Sequence, residues 1–268
     1  MSGQQAAEPT QAEIYDRHFV PALFGQWGEI VCDAAGVSAG QRVLDVACGT
    51  GAATCPAARR VGSDGRVTGL DANPEMLAVA RGKPEPIEWR DGSAEALPFA
   101  DASFDAVISQ FGFMFFADRV AALAEMQRCL RPGGRLAVAV CGAVDHSPGY
   151  AVLTELLQRL FGGEIAEAFR APFVCGDADE LLATCRAAGL SEPRVERREG
   201  RVRFDSVADL VATERACAWT LGGLLDERQF ARLSRAAEES LAPFVAADGR
   251  IEFSMPSLIA SAERPAGH

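Results

Sequence analysis

Between Gln41 and Cys141, short apolar runs alternate with stretches in which apolar positions recur every three or four residues. That switch of period marks strands alternating with amphipathic helices. The pattern predicts strands over 42–47, 66–71, 87–90, 104–109 and 135–141. Helices are expected over 52–61, 74–81 and 119–130. Asn73 stands as N-cap before Pro74 at the first helical position, and Asp118 caps the third helix. Regular βα alternation implies a parallel sheet with helices on both faces.

The flanks follow other patterns. Residues 2–9 are small and polar and are expected to be disordered. Thr10 with Glu13 has capping-box spacing, starting a helix that carries Ile14, Tyr15 and Phe19, and Pro21 is expected to open a second helix ending near Gly36. Beyond Cys141 the alternation stops: helices are predicted over 148–161, 177–188, 206–221 and 226–245, with a strand over 194–204 and a last strand from Ile251. Asp177 with Glu180 repeats the capping spacing, and Gly189 follows as the stop. The chain is expected to be one domain over 1–268, with N-terminal lid helices at 10–36, a core at 41–141 and helical cap segments at 142–193 and 205–249.

Composition narrows the function. Thirty-seven acidic against 26 basic residues give a net charge of −11, which opposes binding to a nucleic-acid backbone. The N-terminus has no basic segment followed by an apolar run, and no stretch of about eighteen apolar residues occurs, so neither a leader nor membrane insertion is expected. Eight cysteines without a Cys-x-x-Cys pair read as free thiols of a cytoplasmic protein. No His/Asp/Glu ligand cluster is evident, so no metal is expected.

The chemistry concentrates in Val43-Leu44-Asp45-Val46-Ala47-Cys48-Gly49-Thr50-Gly51, a strand entering a glycine turn and then a helix. Glycines let backbone approach a ligand, and the helix N-terminus offers unpaired N–H groups, so this is a cofactor cradle. The dinucleotide fingerprint counted from Gly49 needs Gly or Ala where Thr54 stands, which weakens a nicotinamide reading.

Asp45-x-Ala47-x-Gly49-x-Gly51 resembles the first motif of the class I S-adenosylmethionine-dependent methyltransferases. The likeness continues through Val67-Thr68-Gly69-Leu70-Asp71 with Met76, Gly92-Ser93-Ala94-Glu95-Ala96-Leu97-Pro98-Phe99, Phe104-Asp105-Ala106-Val107 and Leu130-Arg131-Pro132-Gly133-Gly134. It covers about residues 41–141 and is nearest to bacterial small-molecule enzymes related to the quinone C-methylating group. The resemblance implies an α/β, Rossmann-like, doubly wound and mostly parallel seven-stranded sheet. N-terminal helices and a cap from insertions after strands 5 and 6 would complete it.

It also implies S-adenosylmethionine as cofactor, with S-adenosylhomocysteine as product. Asp71 would take the ribose hydroxyls, with Ala72 and Met76 beside it. Ser93 and Ala94 would meet the adenine, Ser93 standing where the family usually has Asp, so that the contact is expected to be weaker or to be shared with nearby Asp91. Asp45 would orient the loop or receive the methionine amino group through water. Ala47, Gly49 and Gly51 would form the turn, Gln110 would sit at the edge of the fourth strand, and Tyr15 would fold over the methionine end. Two residues depart from the pattern: Ala47 replaces the commonest first glycine, and Pro56 lies inside the following helix, where it is expected to bend it or shift its start.

Phe111, Phe113, Phe115 and Phe116 flank Met114 after the fourth strand and suit either an acceptor pocket or core packing. The later segments, with Phe161, Phe169, Phe173, Trp219 and Leu224, suggest a cover over a small, largely hydrophobic acceptor. An acceptor that must lose a proton needs a base. The histidines offering one are His146, after the fifth strand, and His18, on the N-terminal helix; His268 ends the sequence. The expected activity is methyl transfer to O, C or N of a small molecule, by a protein that is a monomer or homodimer. Its rivals are a non-methylating enzyme of the same fold, of cyclase or pericyclic type, and a cofactor-binding interaction module.

Overall fold

A computed structural model describes residues 9–217 and 219–266; residues 2–8 and His268 lie outside the described part. The chain enters through α1 (Gln11–Ile14), which continues into a π-helical segment (Tyr15–Phe24), then α2 (Gly28–Ala34). The core follows as β1 (Arg42–Val46), α3 (Thr54–Val61), β2 (Arg66–Asp71), α4 (Pro74–Ala80), β3 (Ile87–Asp91), β4 (Phe104–Gln110), α5 (Arg119–Cys129) and β5 (Leu130–Cys141). Three helices, α6 (Pro148–Phe161), α7 (Gly163–Arg170) and α8 (Ala178–Ala187), separate β5 from β6 (Arg194–Arg198). The chain closes with β7 (Arg201–Phe204), α9 (Val207–Ala216), α10 (Glu227–Ser240), β8 (Ile251–Ser254) and β9 (Ser257–Glu263).

Seven strands form one sheet in the order β3-β2-β1-β4-β5-β9-β6, and β7 and β8 pair as a separate ribbon. The pairs β1–β2, β1–β4, β2–β3 and β4–β5 are parallel, whereas β9 runs antiparallel to both β5 and β6. Every residue of β4 is buried, as a central strand covered on both faces requires. This is the mostly parallel, helix-flanked, Rossmann-like sheet that the alternation and the resemblance implied.

Local chemistry sets the element starts. Thr10 Oγ1 accepts the Glu13 N–H while Glu13 Oε2 accepts the Thr10 N–H, a reciprocal capping box. Asn73 Oδ1 accepts the N–H groups of Glu75 and Met76, and Asp118 Oδ1 accepts that of Ala121. Asp177 Oδ1 caps α8 in the same way, and Gly189 beyond it has φ +78°.

Three expectations are corrected. Pro21 does not open a helix; it lies inside the π-helical run, whose wider turn carries the chain past the missing donor. The strand expected over 194–204 is two strands in different sheets. The backbone crosses tightly over Trp27 at the break, where a Cβ on Gly200 would stand 2.1 Å from the indole. The strand expected from Ile251 is likewise split between β8 and β9, because Met255 and Pro256 leave the ribbon before the chain joins the sheet. Pro56 falls at the third position of α3, which begins at Thr54 and not at 52; the Cys55 N–H bonds the Gly51 carbonyl and the Ala57 N–H the Ala53 carbonyl, and Pro56 cannot supply the bond between them, in keeping with the shifted start expected of it.

Candidate functional site

The strands β1, β2 and β4 end at one large cavity of about 750 Å³, the placement expected for a ligand in an open α/β sheet. At the end of β1 the chain turns sharply: Ala47, Gly49 and Gly51 all have positive φ, at 57°, 55° and 96°. Gly49 lines the cavity; a Cβ there would meet only the Tyr15 ring, at 4.0 Å. Gly51 does not line it. Its role is packing, because a Cβ would lie 2.9 Å from Trp89. Ala47 keeps the left-handed conformation despite its methyl, and Gly112 makes room for that methyl: a Cβ on Gly112 would stand 2.4 Å from the Ala47 Cβ.

Asp71, at the end of β2, accepts the Gly49 N–H at 2.7 Å through Oδ2 and the Asn73 N–H at 2.8 Å through Oδ1. Burial raises its pKa, and these backbone donors oppose the rise. Ala72 and Met76 line the wall beside it, Met76 buried and Ala72 exposed. A carboxylate with spare lone pairs, beside a glycine that leaves backbone bare, suits a ribose diol.

Asp45 is 1% exposed, and its Oδ2 accepts the Thr54 hydroxyl at 2.6 Å. Burial pushes its pKa up to about 7 against the help of that hydroxyl, and its Oδ1 has no partner among the described residues. Asp45 thus ties β1 to the first turn of α3. The residue that broke the dinucleotide fingerprint, Thr54, supplies the tie. Gln110 is buried at the end of β4; its Nε2 donates to the Phe24 carbonyl at 3.1 Å, and its Oε1 has no partner among the described residues.

After β3, Ser93 is exposed and Ala94 buried, and both line the cavity. Asp91 is exposed and is not among the lining residues, so it does not share the contact expected of it. The carboxylate present is Glu95, which sequence reasoning did not single out. Glu95 Oε1 accepts the Ala117 N–H at 2.9 Å and Oε2 accepts the Ser93 hydroxyl, a donor that holds Glu95 below the usual carboxylate range. Ser93 and Glu95 together provide the polar edge that a single Asp was expected to give.

The cavity continues from this cradle under the cap. Tyr15 stands over the glycine turn, its ring stacked on Phe24 at 5.3 Å and edge-on to Trp219 at 5.7 Å. Phe111, Phe115 and Phe116 line the cavity with Met114, whereas Phe113 is core. From the cap, Phe169, Phe173 and Trp219 reach the cavity, and Phe161 and Leu224 do not. Three polar groups stand in this apolar half, Tyr150 from α6, Glu214 from α9 and Thr220 just beyond it, all buried; sequence reasoning named none of them.

The histidines are placed elsewhere. His146 is exposed in the turn after β5, and His18, exposed on the π-helical segment, has its Nδ1 3.5 Å from Asp209. Neither lines the cavity. Among the described residues no three His, Cys, Asp or Glu side chains are grouped to hold a metal ion.

Residues 44–138 match a family model described as a methyltransferase domain. The chain is 36% identical over 172 residues to a 2-phytyl-1,4-naphtoquinone methyltransferase of Synechocystis, spanning 57% of this chain and 70% of that protein. It is 45% identical over 134 residues to a demethylmenaquinone methyltransferase of Renibacterium salmoninarum, spanning 50% of this chain and 55% of the relative, about half its length. Among solved structures, the YcgJ protein of Bacillus subtilis superposes with a TM-score of 0.59 at 20% identity, covering 90% of this chain and 99% of YcgJ, which shows the shared fold.

Proposed function

Because this chain belongs to the S-adenosylmethionine-dependent methyltransferases of the quinone C-methyltransferase group, we propose that it methylates O, C or N of a small, largely hydrophobic metabolite. The observation that carries this reading is the continuity of one cavity from Asp71 and Gly49 to the aromatic wall of Trp219, Phe169 and Phe173. Cofactor and acceptor would occupy one enclosed space.

When bound, S-adenosylmethionine supplies a methyl group on a positively charged sulfur, already activated, and leaves as S-adenosylhomocysteine. The protein's share is to align the acceptor and keep water out. Asp71 would accept the ribose hydroxyls, and Ala94 with Ser93 and Glu95 would meet the base. Gly49 and Ala47 would let the cofactor lie against bare backbone, with Asp45 and Thr54 holding the turn. Gln110 Oε1, buried and unpartnered, offers an acceptor for an ammonium group at the methionine end. The ring faces of Tyr15, Phe24 and Trp219 favour a cationic sulfur and dry the site.

The same reading treats the chain as one methyltransferase domain, with residues 10–36 as lid and the segments at 142–193 and 205–249 as cap. It acts on a small molecule, in the cytoplasm, as a monomer or homodimer. No helix of the described residues is long and apolar enough to cross a membrane.

The test is incubation of the purified protein with methyl-labelled S-adenosylmethionine and an extract of its source cells. Label in a small organic-soluble product, matched by S-adenosylhomocysteine, supports the proposal. Label confined to macromolecules points to an interaction partner as acceptor. Turnover of an extract component without label transfer points to a non-methylating enzyme of this fold.

A further inference from the structure

The apolar half of the cavity contains one carboxyl group. Glu214 lines the wall from α9 and is 1% exposed, and its Oε2 has no hydrogen-bond partner by geometry among the described residues. A carboxyl group buried without an ionic partner is costly, and such a group at the wall of a cavity is a candidate for chemistry. Resting on the methyltransferase reading above, the geometry points to Glu214 as the group that takes the proton from an acceptor hydroxyl.

The surroundings support this assignment. Tyr150 from α6 faces the carboxyl, and Thr220 lies beside it, its hydroxyl already donated to the Glu214 carbonyl at 2.7 Å. The other titratable groups facing Glu214 are Cys141, at the end of β5, and Cys217, just beyond α9; burial raises the pKa of both thiols, keeping them neutral. Tyr150 is also held neutral by burial. No Lys or Arg is among the residues that line the cavity. Burial pushes Glu214 up to about 7, so near neutral pH it both accepts and releases a proton. The rings of Phe169 and Phe173 pack tilted against Tyr150, with centroids 5.9 and 5.5 Å away, a wall suited to a flat aromatic ring.

In the step, the acceptor O–H bond breaks and its electron pair stays on the acceptor oxygen. The proton goes to Glu214 Oε2, leaving the carboxyl neutral until the proton passes to solvent. No oxidant or second reactant is needed.

The experiment uses the full chain saturated with S-adenosylhomocysteine and measures binding of 1-naphthol, 1-methoxynaphthalene and 1-naphthylmethylamine by fluorescence. The wild-type protein should prefer 1-naphthol over its methyl ether by about tenfold or more above pH 8, the worth of a hydrogen bond to a charged group. The preference should shrink as pH falls through about 7. In Glu214→Gln that preference should lose its pH dependence, while affinity for S-adenosylhomocysteine stays unchanged, which shows that the variant is folded.

Equal binding of naphthol and ether, no binding of either, or a pH-dependent preference that persists in Glu214→Gln would overturn the assignment. Tighter binding of the amine than of naphthol would also overturn it, making the carboxylate a cation site. Failure of S-adenosylhomocysteine to bind the wild-type chain would instead sink the methyltransferase reading on which it rests.

Discussion

Gly49 donates its backbone N–H to Asp71 Oδ2 at 2.7 Å, tying the glycine turn after β1 to the carboxylate that ends β2. Asp71 therefore has two roles: it fixes the turn, and its remaining lone pairs face the cavity. Asp71→Ala should weaken S-adenosylhomocysteine binding by about 10- to 100-fold, the worth of one or two hydrogen bonds to a charged group. Asp71→Asn should fall between, because the amide oxygen still accepts from Gly49. Calorimetric titration checks this, and unchanged affinity in a folded Asp71→Ala protein would remove Asp71 from the ribose site.

The Ala47 methyl and the bare Gly112 Cα form a second coupled pair. Gly112→Ala should destabilise the protein by about 1–3 kcal/mol, since two backbone-fixed methyl groups would collide. Ala47→Gly relieves a positive φ and should be neutral or stabilising by up to about 1 kcal/mol. The double variant Ala47→Gly/Gly112→Ala should recover most of the loss. Denaturant unfolding of the four proteins gives the coupling; strictly additive effects would show that the two methyl groups do not meet.

Asp45 sets a pH dependence. Its pKa is 3.8 in the unfolded chain and about 7 when folded, so between these values the folded protein holds a proton that the unfolded chain releases. Stability of the cofactor-free protein should therefore fall as pH rises from about 4 to 7, with the loss complete above that range. Glu214 adds to the fall in a similar window. Asp45→Asn should remove part of the decline while still accepting the Thr54 hydroxyl. Unfolding free energies measured from pH 4 to 8 check this; an unchanged slope in the variant would contradict it.

All eight cysteines are free and buried. Burial raises their pKa, to about 12 for Cys32 and Cys55, so few thiolates are present to react. A thiol reagent at pH 8 should label the native protein slowly and all eight positions in denaturant. Rapid labelling of the native protein would show that the interior opens more readily than this packing implies.

The proposed cofactor half of the site was legible as a cluster because it is local in sequence. The turn Ala47–Gly51, the carboxylate Asp71 and the cap Asn73 each follow a strand end by a fixed few residues, and strand order then brings them together. The boundaries 66–71 and 148–161 agree with the structure, the first set by an apolar run and the second by Pro148 at the helix start and Gly162 at its end. The expected strand over 194–204 hid its break because residues 196–201 carry no apolar position to mark it, and what meets the chain at Gly200 is Trp27, far away in sequence. Tyr150 and Glu214 were missed for a similar reason. Each is an unremarkable position of an amphipathic helix, and only the docking of α6 and α9 over the strand ends turns them toward one space. His146 and His18 drew notice by residue type, but neither side chain faces the cavity.

The central claim is that cofactor and acceptor share one cavity, and a crystal structure of the chain with S-adenosylhomocysteine tests it most directly. The account predicts the ribose on Asp71, the adenine beside Ala94 and Glu95, and the sulfur facing the space bounded by Trp219, Tyr150 and Glu214. A sulfur turned away from that space, or a ligand bound elsewhere, would contradict it.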